Sequence, residues 1–131
     1  MARRAATHLM FAGEASLALD LYSSTFPSFR VERVERYGPG EPGAGGSVKC
    51  AQASLDGHAL IIIDSPVKRA FTFTPAISLF LDCDSREELD SAFTKLSGSG
   101  QVFMPPDNYG FSGRFGWCSD RFGVSWQLNL P

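Results

Sequence analysis

FGWCSDRFGVSWQL, Phe115 to Leu128, is the stretch on which the reading of this chain turns. Asp120 to Gly123 reads as the turn of a β-hairpin, and the strand that follows alternates strictly. Val124, Trp126, Leu128 and Leu130 fall on one face; Ser125, Gln127 and Asn129 fall on the other. A period of two with one apolar side describes a strand with a core beneath it and something polar above it. In a cup-shaped β protein the polar side is where a site is presented, so Gln127 is the residue to follow.

Upstream of this hairpin, residues 100–104 and 113–119 read as two further strands, separated by a Pro-Pro-Asp-Asn-Tyr-Gly loop. Before them, Ser85-Arg86-Glu87-Glu88 has the form of a capping box, which satisfies free amides where a helix begins. That helix runs to about Leu96, behind a strand at 77–81. The first half of the chain has the same order. Residues 5–11 read as a strand and 14–25 as a helix with Ala15, Ala18, Leu19 and Tyr22 on one face. Strands follow at 29–37, 47–55 and 58–63. Asp56-Gly57 is a two-residue hairpin signal, and the nearly continuous apolar run from His58 to Ile63 predicts a strand covered on both faces. Gly and Pro are too dense in residues 38–46 for a strand, which predicts a mobile loop there.

The helix stripes of the halves correspond, Ala15, Ala18, Leu19 and Tyr22 with Leu89, Ala92, Phe93 and Leu96. The turn glycines Gly57 and Gly123 also correspond, each opening a final strand. The expected fold is therefore α+β: a duplicated βαβββ unit, module one about 1–65 and module two about 74–131, within a single domain 1–131. Its two curved four-stranded sheets would form a cup with the helices outside.

Composition narrows the function classes. The chain has 131 residues, enough for one domain with a proper core. Its 44% hydrophobic and 20% charged residues are ordinary for a globular protein. With a net charge of -2 and no basic cluster beyond Arg3-Arg4, nucleic acid is not an expected partner. No apolar run reaches the roughly 20 residues of a membrane span, and MARRAATHLMFAGE reads as a first strand rather than a signal peptide, because Thr7, His8 and Glu14 interrupt it. Three cysteines, Cys50, Cys83 and Cys118, without a CxxC spacing, predict buried free thiols in a reducing cytoplasm rather than a disulfide framework or a zinc site. Eleven phenylalanines predict an aromatic-rich core or an apolar pocket. No GxSxG or other nucleophile constellation is present.

Several of these residues together resemble a known family. They are Phe11, Gly13 and Ala15 opening the first helix, Tyr22 to Phe26-Pro27 at its end, and the Asp56-Gly57 hairpin. The most specific are Tyr109-Gly110, Phe115-Gly116-Trp117 and the run from Asp120 to Gln127. The pattern resembles the PhnB-like branch of the glyoxalase/bleomycin-resistance/dioxygenase (vicinal oxygen chelate) superfamily, whose members often carry a 3-demethylubiquinone methyltransferase label. The resemblance spans nearly the whole chain. It implies a paired βαβββ fold, usually dimeric, with a cup-shaped cavity. In metal-using relatives it implies a divalent ion held by His or Glu near the first and last strands of each module. The methyltransferase label fits the residues badly, since no Gly-rich strand–helix turn of the kind that holds a nucleotide-like methyl donor is present.

Carried onto this chain, the metal positions are Gln127, where metal-binding relatives have Glu; Ile61, its match in module one; His8, with Thr7 the alternative by one step of register; and Ser78, taken as the match of His8. A neutral amide and a hydrocarbon among them predict no tightly bound catalytic metal. His8 and Gln127 remain weak metal candidates. Asp64 closes a strand and reads either as a cap for the next loop or as a general base; His58 reads as a surface turn residue. Trp117 and Trp126 read either as core or as pocket walls. The functional expectation is a cytoplasmic small-molecule binding protein, a homodimer without a cofactor, whose ligand meets His8, Gln127, Trp117 and Tyr109. The alternative is a divalent-metal lyase, isomerase or dioxygenase acting on a vicinal-oxygen substrate.

Overall fold

The computed structural model describes residues 3–131. The chain divides into two compact units, residues 1–72 and Phe73–Pro131, each carrying one βαβββ module. The first holds β1 (Thr7–Phe11), α1 (Ala15–Thr25), β2 (Phe29–Arg36), β3 (Val48–Leu55) and β4 (His58–Asp64). The second holds β5 (Ser78–Asp82), α2 (Arg86–Ser97), β6 (Gln101–Asp107), β7 (Arg114–Ser119) and β8 (Ser125–Leu130).

Both sheets are mixed and share one topology. The first has strand order β1-β4-β3-β2 and the second β5-β8-β7-β6. The first strand of each module lies parallel to the last, and the other pairs are antiparallel. Helix α1 packs on β2 and β4; α2 packs on β6, β7 and β8. One face of each sheet is thereby committed to a helix. In the first unit Leu9, Phe11, Ala53, Leu55, Leu60 and Ile62 are buried together with Ala15, Ala18, Leu19 and Tyr22 of α1. In the second, Cys118, Trp126 and Leu128 are fully buried, alongside Leu89, Ala92, Phe93 and Leu96 of α2. The duplicated helix stripes read from the sequence are thus the buried stripes. Gly116 makes the second contact close: a Cβ there would lie 2.8 Å from the Phe93 ring.

The turns follow their residues. Asp56 and Gly57 both have positive φ, 48° and 82°, as a two-residue hairpin between right-twisted strands requires. At the matching turn of module two, Asp120 Oδ1 accepts from the N–H groups of Phe122 and Val124 at 2.9 and 3.1 Å. Its Oδ2 accepts from Trp126 Nε1 at 3.0 Å, which fixes the indole of β8 in the core.

The structure differs from the sequence reading in five places. Strand β6 runs through Pro105 and Pro106 to Asp107, where a loop was expected; as an edge strand it tolerates residues that cannot donate to a ladder. Strand β4 is not evenly covered: Leu60, Ile62 and Asp64 are buried, whereas Ala59, Ile61 and Ile63 are half-buried. The 38–46 segment is closed by bonds from Gly46 N to Tyr37 O and from Tyr37 N to Ser47 O, and by the Lys49–Glu41 ion pair at 2.6 Å. At α2, Ser85 Oγ accepts from Glu88 N at 3.1 Å, but the returning Glu88 carboxylate meets Asp84 N instead of Ser85 N. Of the three free cysteines, Cys83 and Cys118 are buried and Cys50 only half so.

The helices are anchored by different means. Glu14 at the start of α1 makes no side-chain cap. The cap comes from 49 residues away: Asp64 Oδ1 accepts from Gly13 N and Ala15 N, both at 2.9 Å, while Oδ2 accepts from Val48 N at 2.9 Å. Asp64 is 2% exposed, so its removal strands amide donors inside the protein. Asp64→Ala is expected to cost about 3 kcal/mol or more in urea unfolding. Ser85→Ala, which removes a local cap at an exposed helix end, is expected to cost about 1 kcal/mol. Equal losses would show that Asp64 does not bridge these elements.

Candidate functional site

With one face of each sheet packed on a helix, the opposite face is the place for a site. Register assigns its residues. In the first unit His8 stands opposite Ile61, and Ile61 opposite Gln52. Leu9 and Phe11 are buried on the helix side, so His8 and Met10 lie on the other side and Thr7 does not. This settles the one-step ambiguity in favour of His8, which is exposed. Thr7 Oγ1 lies 2.8 Å from His58 Nε2, giving that exposed turn residue a hydrogen-bond partner within the same unit.

In the second unit Gln127 stands opposite Trp117 on β7 and opposite Phe80 on β5. Phe80 is therefore the counterpart of His8, because each faces the matched residue of the last strand. Ser78, the residue expected there, pairs with Ser125 two positions earlier. Four side chains of this face are joined by hydrogen bonds. Trp117 Nε1 donates to Ser125 Oγ at 2.8 Å; Ser125 Oγ and Ser78 Oγ lie 2.7 Å apart; Gln127 Nε2 donates to Ser78 Oγ at 3.2 Å. Ser125 is buried, and Ser78, Trp117 and Gln127 are half-buried. Phe103 packs on Trp117 with ring centres 4.9 Å apart. Asn129 Nδ2 donates to Asp82 Oδ1 at 2.8 Å. At the end of the face Tyr109, Phe111 and Phe115 form a ring cluster, with centroid separations from 5.0 to 6.4 Å.

Of the residues singled out in the sequence, Gln127, Trp117 and Tyr109 belong to the second unit and His8 to the first. Trp117 borders the polar cluster, whereas Trp126 is wholly core. The sequence reading missed the Ser78–Ser125 pair as part of a site. The alternation placed Ser125 beside Gln127, but the link to Ser78 depends on a parallel register across 47 residues.

The four metal positions now read His8, Ile61, Phe80 and Gln127: one imidazole, one uncharged amide and two hydrocarbons. A divalent ion takes three or four lone-pair donors converging on one point, and neither the His8–Ile61 pair of the first unit nor the Phe80–Gln127 pair of the second offers more than one. Asp64, the acid that a metal site or general base would borrow, lies on the helix side of its sheet with both carboxylate oxygens engaged by backbone amides. Among the described residues no group of three or more His, Cys, Asp or Glu side chains is arranged to hold a metal ion.

A family model described as 3-demethylubiquinone-9 3-methyltransferase matches residues 3–129. The chain belongs to that family. The PhnB protein of Bacillus cereus, which bears the same description, is 43% identical over 98% of this chain and 100% of its own, with a TM-score of 0.93. Protein PA1353 of Pseudomonas aeruginosa is 26% identical over 98% of each chain, with a TM-score of 0.85. A glyoxylase/bleomycin resistance protein/dioxygenase domain from Frankia shares the fold at 13% identity, with a TM-score of 0.70 over 99% of this chain and 92% of its own. No curated protein matches the chain. The fold is thus that of the glyoxalase/bleomycin-resistance superfamily. The methyl transfer in the family description finds no donor-holding turn in the first unit: the N–H groups of Gly13 and Ala15 at the start of α1, which would cradle a phosphate or carboxylate, are occupied by Asp64.

Two of the three cysteines are held in an unreactive form. Burial, reinforced by Glu88, pushes the Cys83 thiol up to about 12, and burial, reinforced by Asp120, does the same for Cys118. Both are protonated at neutral pH and therefore unreactive. In the native protein at pH 8 a thiol reagent is expected to label Cys50 alone, and Cys50→Ala to abolish fast labelling. Because the folded state raises these two thiols above their ordinary 9.0, the stability they support is complete below pH 9. It declines as pH rises from there towards 12, which urea titrations across that range will register. Rapid labelling of Cys83 or Cys118 without unfolding would contradict this account.

Proposed function

We propose that this chain is a small-molecule binding protein of the glyoxalase/bleomycin-resistance superfamily that works without a resident divalent metal. The observation that carries the reading is the lack of a metal-binding donor at Ile61 and Phe80 and the neutral amide at Gln127, alongside an ordered polar cluster on the same face as Gln127 and Phe80. A face kept for nothing would not need Ser78, Ser125, Trp117 and Gln127 tied together by hydrogen bonds.

The binding chemistry follows from what the face offers. Trp117, Phe103 and Phe80 supply flat apolar surface, with Phe80 55% exposed. An apolar or aromatic body laid on them gains from leaving water. Gln127 then orients it through its amide. His8, on the matching face of the first unit, is assigned as that unit's own polar ligand contact. A homodimer accompanies this reading: β1, β2, β5 and β6 are sheet edges, and Phe71, Ile77 and Phe111 are apolar side chains at least 64% exposed, surface that a second copy would cover.

Thermal-shift measurements with a panel of apolar and aromatic compounds test the binding reading. At least one compound at millimolar concentration is expected to raise Tm. Phe80→Ala, an exposed position whose loss leaves the unliganded Tm nearly unchanged, should remove most of that rise. A panel without any shift, or shifts indifferent to Phe80→Ala and Trp117→Ala, would overturn it. Sedimentation at micromolar concentration is expected to give a dimer; a monomer would refute that part.

A further inference from the structure

The polar cluster of the second unit specifies the chemistry of its ligand by proton count. Trp117, Ser125 and Ser78 each bring one donatable proton and Gln127 brings two. The three hydrogen bonds that join them use one proton apiece, so two remain. The direction of each bond does not matter. With Gln127 Nε2 on Ser78, one amide proton and one serine proton are left over. With the amide turned by half a revolution, the protons run from Trp117 to Ser125 to Ser78 to Gln127 Oε1, and both amide protons are left over. The indole of Trp117 can only donate, which is why the surplus cannot be absorbed at that end.

Among the described residues the four side chains of the cluster make no further side-chain hydrogen bond beyond these three. The acids of this face stand at strand ends: Asp82 of β5 accepts from Asn129 Nδ2, and Asp107 of β6, opposite Phe115, accepts from Asn108 N. Arg114 pairs with Asp90 of α2 at 2.7 Å, on the helix side. The strands β5, β7 and β8 therefore place no Lys or Arg on the face that carries Gln127.

We infer that this face binds an uncharged molecule that presents hydrogen-bond acceptor oxygen, of ketone, ester or amide type, on a flat apolar body. The inference rests on the binding reading above and names its ligand class. An acceptor oxygen takes a surplus proton at Gln127, which keeps at least one in either arrangement, while the body lies on Trp117 and Phe80. A hydrocarbon of the same shape covers those protons without replacing their partners, which is costly. A carboxylate gives up its hydration with no cation to meet it.

Three probes of similar size separate these cases: acetophenone, isopropylbenzene and benzoate. Each is titrated into the full chain and followed by 1H–15N NMR at the Trp117 indole and the Gln127 side-chain amide. Acetophenone is expected to move both signals and to bind about five-fold or more tightly than isopropylbenzene and than benzoate. Gln127→Met, which keeps the volume and removes two protons, should erase the preference for acetophenone while isopropylbenzene binding persists. If isopropylbenzene or benzoate moves the same signals at equal or lower concentration, the acceptor inference is wrong and the binding reading stands. If no probe moves any signal of this face, the binding reading itself falls, and the inference with it.

Discussion

The carboxylate of Asp64 holds three backbone N–H groups that belong to two different elements, and the architecture of the first unit depends on it. Gly13 and Ala15 open α1, Val48 opens β3, and Asp64 closes β4. The buried charge is compensated by amide dipoles and by the helix N-terminus, and in return it fixes where the helix begins relative to the sheet. That placement commits one sheet face to α1 and leaves the other, with His8 and Ile61, uncovered by the helix. The second unit reaches the same division differently: Ser85 caps α2 locally, and a second buried acid, Asp120, orders the β7–β8 turn and holds the Trp126 indole.

The consequence for chemistry is a separation of roles. The buried acids Asp64 and Asp120 are occupied in building the fold, and two cysteines are protonated by burial. What remains on the free face of the second sheet is mostly uncharged, hydroxyls, amides, an indole and aromatic rings, with Asp82 and Asp107 at the ends of β5 and β6. The family and the fold are shared with proteins of other descriptions, and the identity of a few side chains on this face decides what the scaffold does.

Much of this was legible in the sequence. The matched helix stripes, the two glycine turns and the strict alternation after Gly123 report local periodicities, and the buried residues of both helices are the ones that those periodicities select. Gln127 was legible for the same reason. What was not legible depends on register between distant strands. The remote cap leaves no signature around Glu14, because its carboxylate lies at position 64. Ser78 was placed against His8 by counting along the chain, whereas parallel pairing gives that place to Phe80; a shift of two along a strand keeps the face but changes the neighbour. The Pro-Pro pair looked like a loop because its fitness for a strand rests on β6 being an edge.

The central proposal is that the face around Gln127 takes an uncharged ligand and that the protein holds no resident divalent ion. Native mass spectrometry joined to elemental analysis of the protein, purified without chelators and offered Mn, Fe, Ni and Zn, tests it most directly. The account predicts no stoichiometric metal and, where anything co-purifies, an uncharged organic molecule. One divalent ion per chain that survives buffer exchange would contradict it.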